Sequence, residues 1–245
     1  MSSQIDFDMI FAFKDECLKN RVFPKCELID TLMKRLPEFE HTVPKGFNMY
    51  RARVYTENSY AYALRIYFRE HVPLPTEEVK QTPDCWEGFH AYEEKDSFAN
   101  TNANAIIGNR CNNDFECCLY AAGDVTTAIS EIKPVINERV SVARIVTKEE
   151  LKLIDLRFND KDAFLEGLAF LFITSPTIEN KDAYIYTQVI CSLIKQAGYD
   201  GIIYSSCQRL IGNNYAIFNY DKCQAVASRE YEIEGIHISS KQITQ

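Results

Sequence analysis

The spacing of apolar residues predicts helices in the first forty residues of the chain. From Lys25 to Phe39, apolar side chains recur at three- and four-residue steps, and Pro37 ends the pattern. The segment from Ile5 to Leu18 is also typical of a helix. Both segments have polar outer faces, so we expect residues 1–45 to form a helical extension packed on a main body of residues 46–245.

The apolar pattern changes to a two-residue period after Gly46. In the segment NMYRARVY, which begins at Asn48, the residues alternate as they do in a strand, and Arg51 and Arg53 fall on the same face. A solvent-exposed strand is one interpretation of this pair. A pocket for a phosphate-bearing ligand is the other, because guanidinium groups match phosphate oxygens in pairs.

The remaining chain alternates between short strands and helices. Residues 56–105 are polar and rich in proline, and only a short helix near 59–70 is expected there. The strands are expected at CCLYAA, VSVARIV, LKLIDL, DGIIYSS, NYAIFN and CQAVASREYEI, and the helices at 125–133, 160–173 and 182–199. This order predicts an α/β or α+β domain with several short strands around a compact sheet.

Composition and charge exclude several classes of protein. A net charge of −8 without a basic stripe is unlike a nucleic-acid binder, and no run of about 18 apolar residues predicts a membrane span. The acidic first residues do not resemble a signal peptide. Nine scattered cysteines and four histidines lack the spacing of metal ligands, so we expect reduced thiols, no metal site and a cytoplasmic protein.

Glu131 is a candidate functional carboxylate. If Asp124 caps a helix over residues 125–133, Glu131 lies about 60° from Ala128, at the edge of the apolar face. A carboxylate in the last turn is mildly unfavourable with the helix dipole, so its position does not serve helix stability. A solvated surface charge and a carboxylate facing a cleft both remain open on this evidence.

Five further polar residues have an ordinary structural interpretation beside a functional one. They are a tyrosine on an apolar strand, an arginine in a turn, two serines at a strand end and a glutamine at a helix entry: Tyr120, Arg110, Ser205, Ser206 and Gln188. Each is compatible with core packing, solvation or capping. Strand ends are also where ligands bind in α/β sheets.

Taken together, the motifs resemble the RES-domain family. The segments are YRAR, GNRCN, LYAAGDVTTAISEIKP, VSVARI, YTQ and GYDGIIYSSCQRLIGNNYAIFN, which cover about residues 46–230. The combination of LYxAxxxxTAxxE with GxDGIxYxS and GxNxxxF is fairly specific, although each fragment alone is weak. The preceding helices resemble the N-terminal extension of longer members.

The resemblance implies an α+β fold like that of ADP-ribosyltransferase toxins, with a compact mixed or antiparallel sheet and flanking helices. It also implies an enzyme that consumes NAD by phosphorolysis or hydrolysis, often a toxin silenced by an antitoxin. NAD would be a substrate, with inorganic phosphate as a candidate second substrate and no resident cofactor. ADP-ribosylation of a macromolecule and silent NAD binding remain alternatives, and an oligomer is compatible with the sequence.

The resemblance also implies roles for single residues. The family arginine, glutamate and serine fall on Arg51, Glu131 and Ser206, with Ser205 as the second serine candidate. The glutamate would stabilise positive charge on the ribose, and the arginine would hold the pyrophosphate. Contacts to substrate are expected from Tyr120, Arg53, Arg110 and Gln188. Arg110 follows an inserted residue, which weakens its match to the family motif.

Overall fold

The computed structural model describes residues 7–20, 24–55, 86–99, 106–173 and 184–236. The helices in these ranges are α1 (Phe7–Lys19), α2 (Glu27–Arg35), α3 (Glu94–Ser97), α4 (Val125–Glu131), α5 (Ala163–Ile173) and α6 (Ile185–Gln196). The strands are β1 (Glu40–Val43), β2 (Asn48–Val54), β3 (Gly88–Phe89), β4 (Leu119–Ala122), β5 (Arg139–Thr147), β6 (Leu151–Asp155), β7 (Gly201–Ser205), β8 (Asn213–Ile217) and β9 (Cys223–Glu232). No helix in these ranges has the length and apolar character needed to cross a membrane.

The strands form one mixed sheet in the order β1-β6-β7-β8-β4-β2-β5-β9-β3. The β6–β7 and β3–β9 pairs are parallel, and the other neighbours are antiparallel. This arrangement confirms the predicted α+β class with a mixed, mainly antiparallel sheet and flanking helices. The order of predicted strands and helices left α/β and α+β open, and the family resemblance selected the α+β fold.

The sheet is weakly joined between β4 and β2. Strand β4 pairs with β8 at all four of its residues but with β2 only at Tyr50 and Ala122. On its other side, β2 pairs with β5 along its whole length. Helix α4 packs beside this junction and contacts both β2 and β4. The junction and the helix together contribute walls to the cavity described below.

The N-terminal helices share a hydrophobic core with the helices of the main body. Phe13 of α1 and Leu32 of α2 are fully buried in the same cluster as Phe172 of α5 and Ile190 of α6. The division of the chain at residue 45 remains a prediction. The predicted helical character is wrong at the end of this segment, where Leu36–Phe39 is a 3-10 turn and β1 pairs with β6 at the sheet edge.

Several element boundaries differ from the predicted ones by a few residues. The strand predicted from Cys117 begins at Leu119, and the helix predicted over 125–133 ends at Glu131. Lys133 adopts a left-handed backbone conformation with φ 50°, and Pro134 follows it, so the helix cannot continue. The helix expected near residues 59–70 lies outside the described residues.

Candidate functional site

One cavity of about 360 Å³ lies between helix α4 and the sheet. A row of cross-strand neighbours from β7, β8, β4 and β2 contributes to its lining, namely Tyr204, Asn214, Ala122 and Tyr50. The functional candidates that line it are Arg51, Arg110, Tyr120 and Glu131, with Tyr184, Cys207, Gln208 and Lys133 completing much of the wall. The fold therefore brings together residues from five distant parts of the sequence.

Glu131 reaches this cavity because α4 is fixed at its beginning and along its buried face. Asp124 caps the helix as predicted, accepting a hydrogen bond from the Thr127 amide at 2.9 Å. Ala128, 4% exposed, packs in an apolar cluster with Ala52 and Ala122. Glu131, one turn further and half-buried, extends along the edge of that face into the cavity.

Two side chains donate hydrogen bonds to the same oxygen of Glu131. Ser206 Oγ and Asn214 Nδ2 each lie 2.6 Å from Glu131 Oε1. Among the described residues, no hydrogen bond is made to Oε2. One carboxylate oxygen is thus held by the protein, whereas the other is available to a ligand.

Ser206 is positioned by the loop of residues 206–212 that follows β7. Its Oγ accepts hydrogen bonds from the amides of Gln208 and Arg209, both at 3.1 Å, while its own amide donates to the Gly212 carbonyl at 2.8 Å. Arg209 Nη1 donates to Asp124 Oδ1 at 2.6 Å, which joins the loop to the beginning of α4. The helix cap and the serine loop therefore form one structural unit.

Arg51 places a cationic group at the cavity, and one of its nitrogens has no hydrogen-bond partner among the described residues. Its Nη1 atom is buried and makes no hydrogen bond within the described part of the chain. Burial, assisted by the positive charge of Arg53, lowers the pKa of Arg51 to about 10. The guanidinium remains charged at neutral pH, and an anionic ligand would supply the missing partner.

Tyr120 and Arg110 are both held by internal contacts. The Tyr120 hydroxyl donates to Asn112 Oδ1 and accepts from the Cys111 amide, both at 2.7 Å, and burial raises the pKa of this tyrosine well above its usual value. Arg110 donates from Nη1 to the Phe172 carbonyl, and its guanidinium lies 5.3 Å from the Tyr184 ring centre. Tyr120 is therefore a neutral residue that orders the loop preceding β4.

Four of the predicted site residues are not among those that line this cavity. Ser206 is connected to it through its hydrogen bond to Glu131. Arg53 donates from Nη1 to the Asp96 carbonyl, and Gln188 Nε2 donates to the carbonyls of Asn109 and Asn112 at 2.9 and 3.1 Å. Ser205 accepts from the Phe158 amide at 3.2 Å and lines a separate surface depression. The alternation of side chains along β7 explains the last case, because Tyr204 faces the cavity and Ser205 the opposite side.

The structure adds site residues that the sequence analysis did not select. Asn214 contacts Glu131, Tyr204 lines the cavity with 7% exposure, and Asn112 holds the hydroxyl of Tyr120. Asn214 is the asparagine of the GxNxxxF segment, so the sequence signal was present without an assigned role. Nothing in the local pattern distinguished Tyr204 from an ordinary core tyrosine.

The described residues contain no group of three histidine, cysteine, aspartate or glutamate side chains that could hold a metal ion. The eight described cysteines are free thiols. Burial raises the pKa of several of them, with values of about 12 for Cys17 and about 11 for Cys223. Cys17 and Cys223 are therefore protonated core residues at neutral pH.

Comparison with known proteins identifies the family. No curated protein matches the sequence. The fold is similar to that of a chain in the crystal structure of the M. tuberculosis MbcT–MbcA toxin–antitoxin complex, with 12% identity, a TM-score of 0.46, and coverage of 84% of this chain and 94% of that chain. The family model of the RES domain matches residues 85–239, a range that includes Glu131, Ser206 and Asn214 and that begins after Arg51. Since this match spans more than half of the sequence and agrees with the motifs quoted above, the chain belongs to the RES-domain family.

Proposed function

We propose that this protein is an NAD-degrading enzyme that cleaves the bond between nicotinamide and ribose. The observation that carries the proposal is a pair of opposite charges on one cavity. Arg51 has a buried nitrogen with no partner among the described residues, and Glu131 has a carboxylate oxygen with no internal hydrogen bond there. NAD has a pyrophosphate that suits the first group and a ribose that suits the second.

The carboxylate fits the charge that develops in this reaction. Cleavage leaves the bonding electron pair on nicotinamide, which departs as a neutral molecule, and creates oxocarbenium character on the ribose. An ionised Glu131 stabilises that positive charge by electrostatics and can accept hydrogen bonds from the ribose hydroxyls through Oε2. Its position is fixed in advance by Ser206 and Asn214, so little reorganisation is needed during the reaction.

The arginines and the size of the cavity fit the rest of the dinucleotide. Arg51 would bind the pyrophosphate, and Arg110, on the same cavity, would add positive potential. A volume of about 360 Å³ is at the small end of the range for small-molecule sites. We therefore infer that the nicotinamide and its ribose enter the cavity, while the adenosine half lies at the mouth.

The acceptor is water or inorganic phosphate. Water would give nicotinamide, ADP-ribose and a proton, whereas phosphate would give nicotinamide and ADP-ribose 1″-phosphate. Purified protein should be incubated with NAD in phosphate-free buffer and in phosphate buffer, and the products should be separated by chromatography. Release of nicotinamide is the expected result, and the second product identifies the acceptor. No release in either buffer would refute the proposed activity.

Two other outcomes would redirect the proposal. Labelled NAD that leaves ADP-ribose on a protein or nucleic acid would indicate a transferase. Saturable NAD binding without turnover would indicate a binding module. Both experiments use the same purified protein, so NAD cleavage, ADP-ribosyl transfer and binding without turnover are distinguished by the products that form or by their absence.

We further propose that NAD depletion makes the protein toxic in the cytoplasm and that a partner protein silences it. The loop that positions Ser206 ends in two exposed apolar side chains, Leu210 at 99% and Ile211 at 79% exposure, next to Cys207 and Gln208 of the cavity wall. These side chains offer an apolar contact surface to a partner protein, on the same loop that positions Ser206. Induced expression should lower cellular NAD and stop growth, whereas a Glu131→Gln variant should do neither.

A further inference from the structure

We propose that Asn214 is a positioning residue that fixes the carboxylate of Glu131 in its ribose-facing orientation. The inference rests on the proposed function, because it assigns Asn214 a part in that reaction. Its basis is the hydrogen bond of 2.6 Å from Asn214 Nδ2 to Glu131 Oε1. The two residues are 83 positions apart in the sequence, so the contact exists only in the folded chain.

Asn214 occupies a rigid position. It is 4% exposed and is the second residue of β8, where it is the cross-strand neighbour of Tyr204 on one side and of Ala122 on the other. Its side chain therefore emerges from the lining of the cavity and approaches the carboxylate from the sheet. The amide must present its NH₂ group to Glu131, since a carboxylate accepts hydrogen bonds and does not donate them.

The two oxygens of Glu131 have different roles: Oε1 is bound by the protein, and Oε2 faces the proposed ribose site. Asn214 and Ser206 both donate to Oε1, from the sheet and from the loop after β7. A carboxylate with two donors on one oxygen has little rotational freedom, so Oε2 points in a constant direction. Asn214 thus helps to keep the second oxygen of this carboxylate aimed at the ribose.

The other charged and titratable groups on this cavity come from every wall. They are Tyr50 and Arg51 of β2, Arg110 before β4, Tyr120 of β4, Lys133 after α4, Tyr184 before α6, Tyr204 of β7 and Cys207 after it. Burial raises the pKa of Tyr120 and Tyr204, which stay neutral at physiological pH. No other described carboxylate lines the cavity, so a second one at position 214 would be a new and specific perturbation.

The matched test compares Asn214→Asp with Asn213→Asp. Both variants add one negative charge to the same strand, but Asn213 lies on the opposite face and lines the separate surface depression. Aspartate at 214 places two carboxylates at hydrogen-bond distance, and such a pair retains a proton to higher pH. We expect the acidic limb of the kcat profile to move up by about one pH unit or more in Asn214→Asp. The profile of Asn213→Asp should stay within about 0.3 pH units of the wild type.

Asn214→Ala tests the contact without an added charge. Loss of a hydrogen bond to an ionised group should reduce kcat by about tenfold or more, with a smaller change in KM. An unchanged profile in a folded Asn214→Asp, or a kcat within about twofold of the wild type in Asn214→Ala, would overturn the inference. If Asn214→Asp fails to fold, the alanine variant alone decides the matter.

A stability measurement separates this inference from the proposed function. If the wild-type protein releases no nicotinamide, the proposed function fails, and thermal unfolding still tests the contact. The repelling carboxylates of Asn214→Asp should lower Tm at neutral pH, and this loss should diminish as the pH falls and the pair takes up a proton. A loss of Tm that is constant between about pH 7 and pH 4 would overturn the inference independently of activity.

Discussion

At the scale of single residues, the candidate site contains two charged groups that differ in the hydrogen bonds they receive from the protein. Glu131 is a charge that the protein has already provided with donors, from Ser206 and Asn214. Arg51 is a charge that has no internal partner on its buried Nη1 within the described residues. One oxygen of the carboxylate is bound by the protein and the other is not, whereas the buried Nη1 of the guanidinium gains its hydrogen bond only from a ligand. The two residues therefore respond differently to substitution.

Glu131→Gln keeps the shape of the side chain and removes its charge. We expect kcat for nicotinamide release to fall at least about a hundredfold, because the oxocarbenium charge loses its stabilising anion. NAD binding, measured by calorimetry, should be retained, since Arg51 is unchanged. Glu150→Gln, on an exposed turn, is the control and should keep wild-type turnover. Equal rates for Glu131→Gln and the control would exclude Glu131 from the chemistry.

Arg51→Met should weaken function and improve stability at the same time. The substitution removes a buried cation without an internal partner among the described residues, so Tm should stay equal or rise, while KM for NAD should increase about tenfold or more. Arg53→Met is the matched control on the same face of the same strand. Its guanidinium is bound to the Asp96 carbonyl and lines no part of the cavity, so its KM should stay within about threefold of the wild type. A larger increase of KM in Arg53→Met than in Arg51→Met would show that Arg53, and not Arg51, binds the pyrophosphate.

At the scale of elements, the important unit is helix α4 with the loop of residues 206–212. Asp124 caps the helix and also binds Arg209, so the same carboxylate fixes the helix beginning and the serine loop. Burial opposes ionisation of Asp124, but hydrogen bonds from the Thr127 hydroxyl and amide, with the positive charge of Arg209, lower the pKa of this carboxyl. Gly212 packs directly on Thr127, which leaves no space for a larger residue.

Gly212→Ala should disturb this unit. A Cβ at position 212 would lie 2.7 Å from Thr127 Cγ2 and Oγ1, so the loop must move and carry Ser206 away from Glu131. We expect the free energy of unfolding to fall by about 1–3 kcal/mol and turnover to fall with it. Gly235→Ala is the control, since a Cβ added at position 235 would have no described heavy atom within 4 Å apart from those of its chain neighbours. Urea unfolding and nicotinamide release measure both effects, and equal stability of the two variants would contradict the close packing.

At the scale of the whole molecule, the N-terminal helices are joined to the body by apolar burial and by one well-placed ion pair. Arg35 at the end of α2 binds both carboxylate oxygens of Asp162, at 3.2 and 2.5 Å, just before α5. Asp162 also accepts hydrogen bonds from the Phe164 and Leu165 amides at the beginning of that helix. The same residue therefore caps α5 and binds the N-terminal segment.

Asp162→Asn should remove the ion pair while keeping the cap, because asparagine caps helices as well as aspartate. The Arg35 guanidinium lowers the pKa of Asp162, so the pair stabilises the fold above the unfolded-state pKa. That contribution is lost as the pH falls through the lower folded-state value. We expect the free energy of unfolding of Asp162→Asn to be lower than that of the wild type by about 1–2 kcal/mol at pH 7, and this difference should become smaller in strong acid.

The control for the ion pair is Glu40→Gln. Glu40 lies 3.8 Å from Lys152 at the surface, and its loss should change stability by less than about 0.5 kcal/mol. Urea unfolding at pH 7 and at about pH 3 gives both comparisons. An Asp162→Asn loss that does not depend on pH would show that the charge contributes nothing to the docking of the N-terminal helices.

The sequence by itself determined the properties that depend on neighbouring residues. Asp124 as a helix cap, the strand from Asn48 and the amphipathic helix ending near Gly198 follow from local periodicity and capping, because backbone geometry sets which side chains share a face. The placement of Glu131 at the edge of an apolar helix face was predicted in the same way. Family resemblance then selected Arg51, Glu131 and Ser206 from many polar residues with an ordinary explanation.

Only the tertiary structure decided which of these residues meet. Ser206 and Asn214 reach Glu131 across 75 and 83 positions, and such contacts depend on strand order and register, which local spacing does not encode. The same order separated Arg53, Gln188 and Ser205 from the cavity, because each found a closer backbone partner. Helix α4 packs on β2 and β4 where these strands share a single residue pair, and this packing of elements distant in sequence is the physical reason that Glu131 lines a cavity.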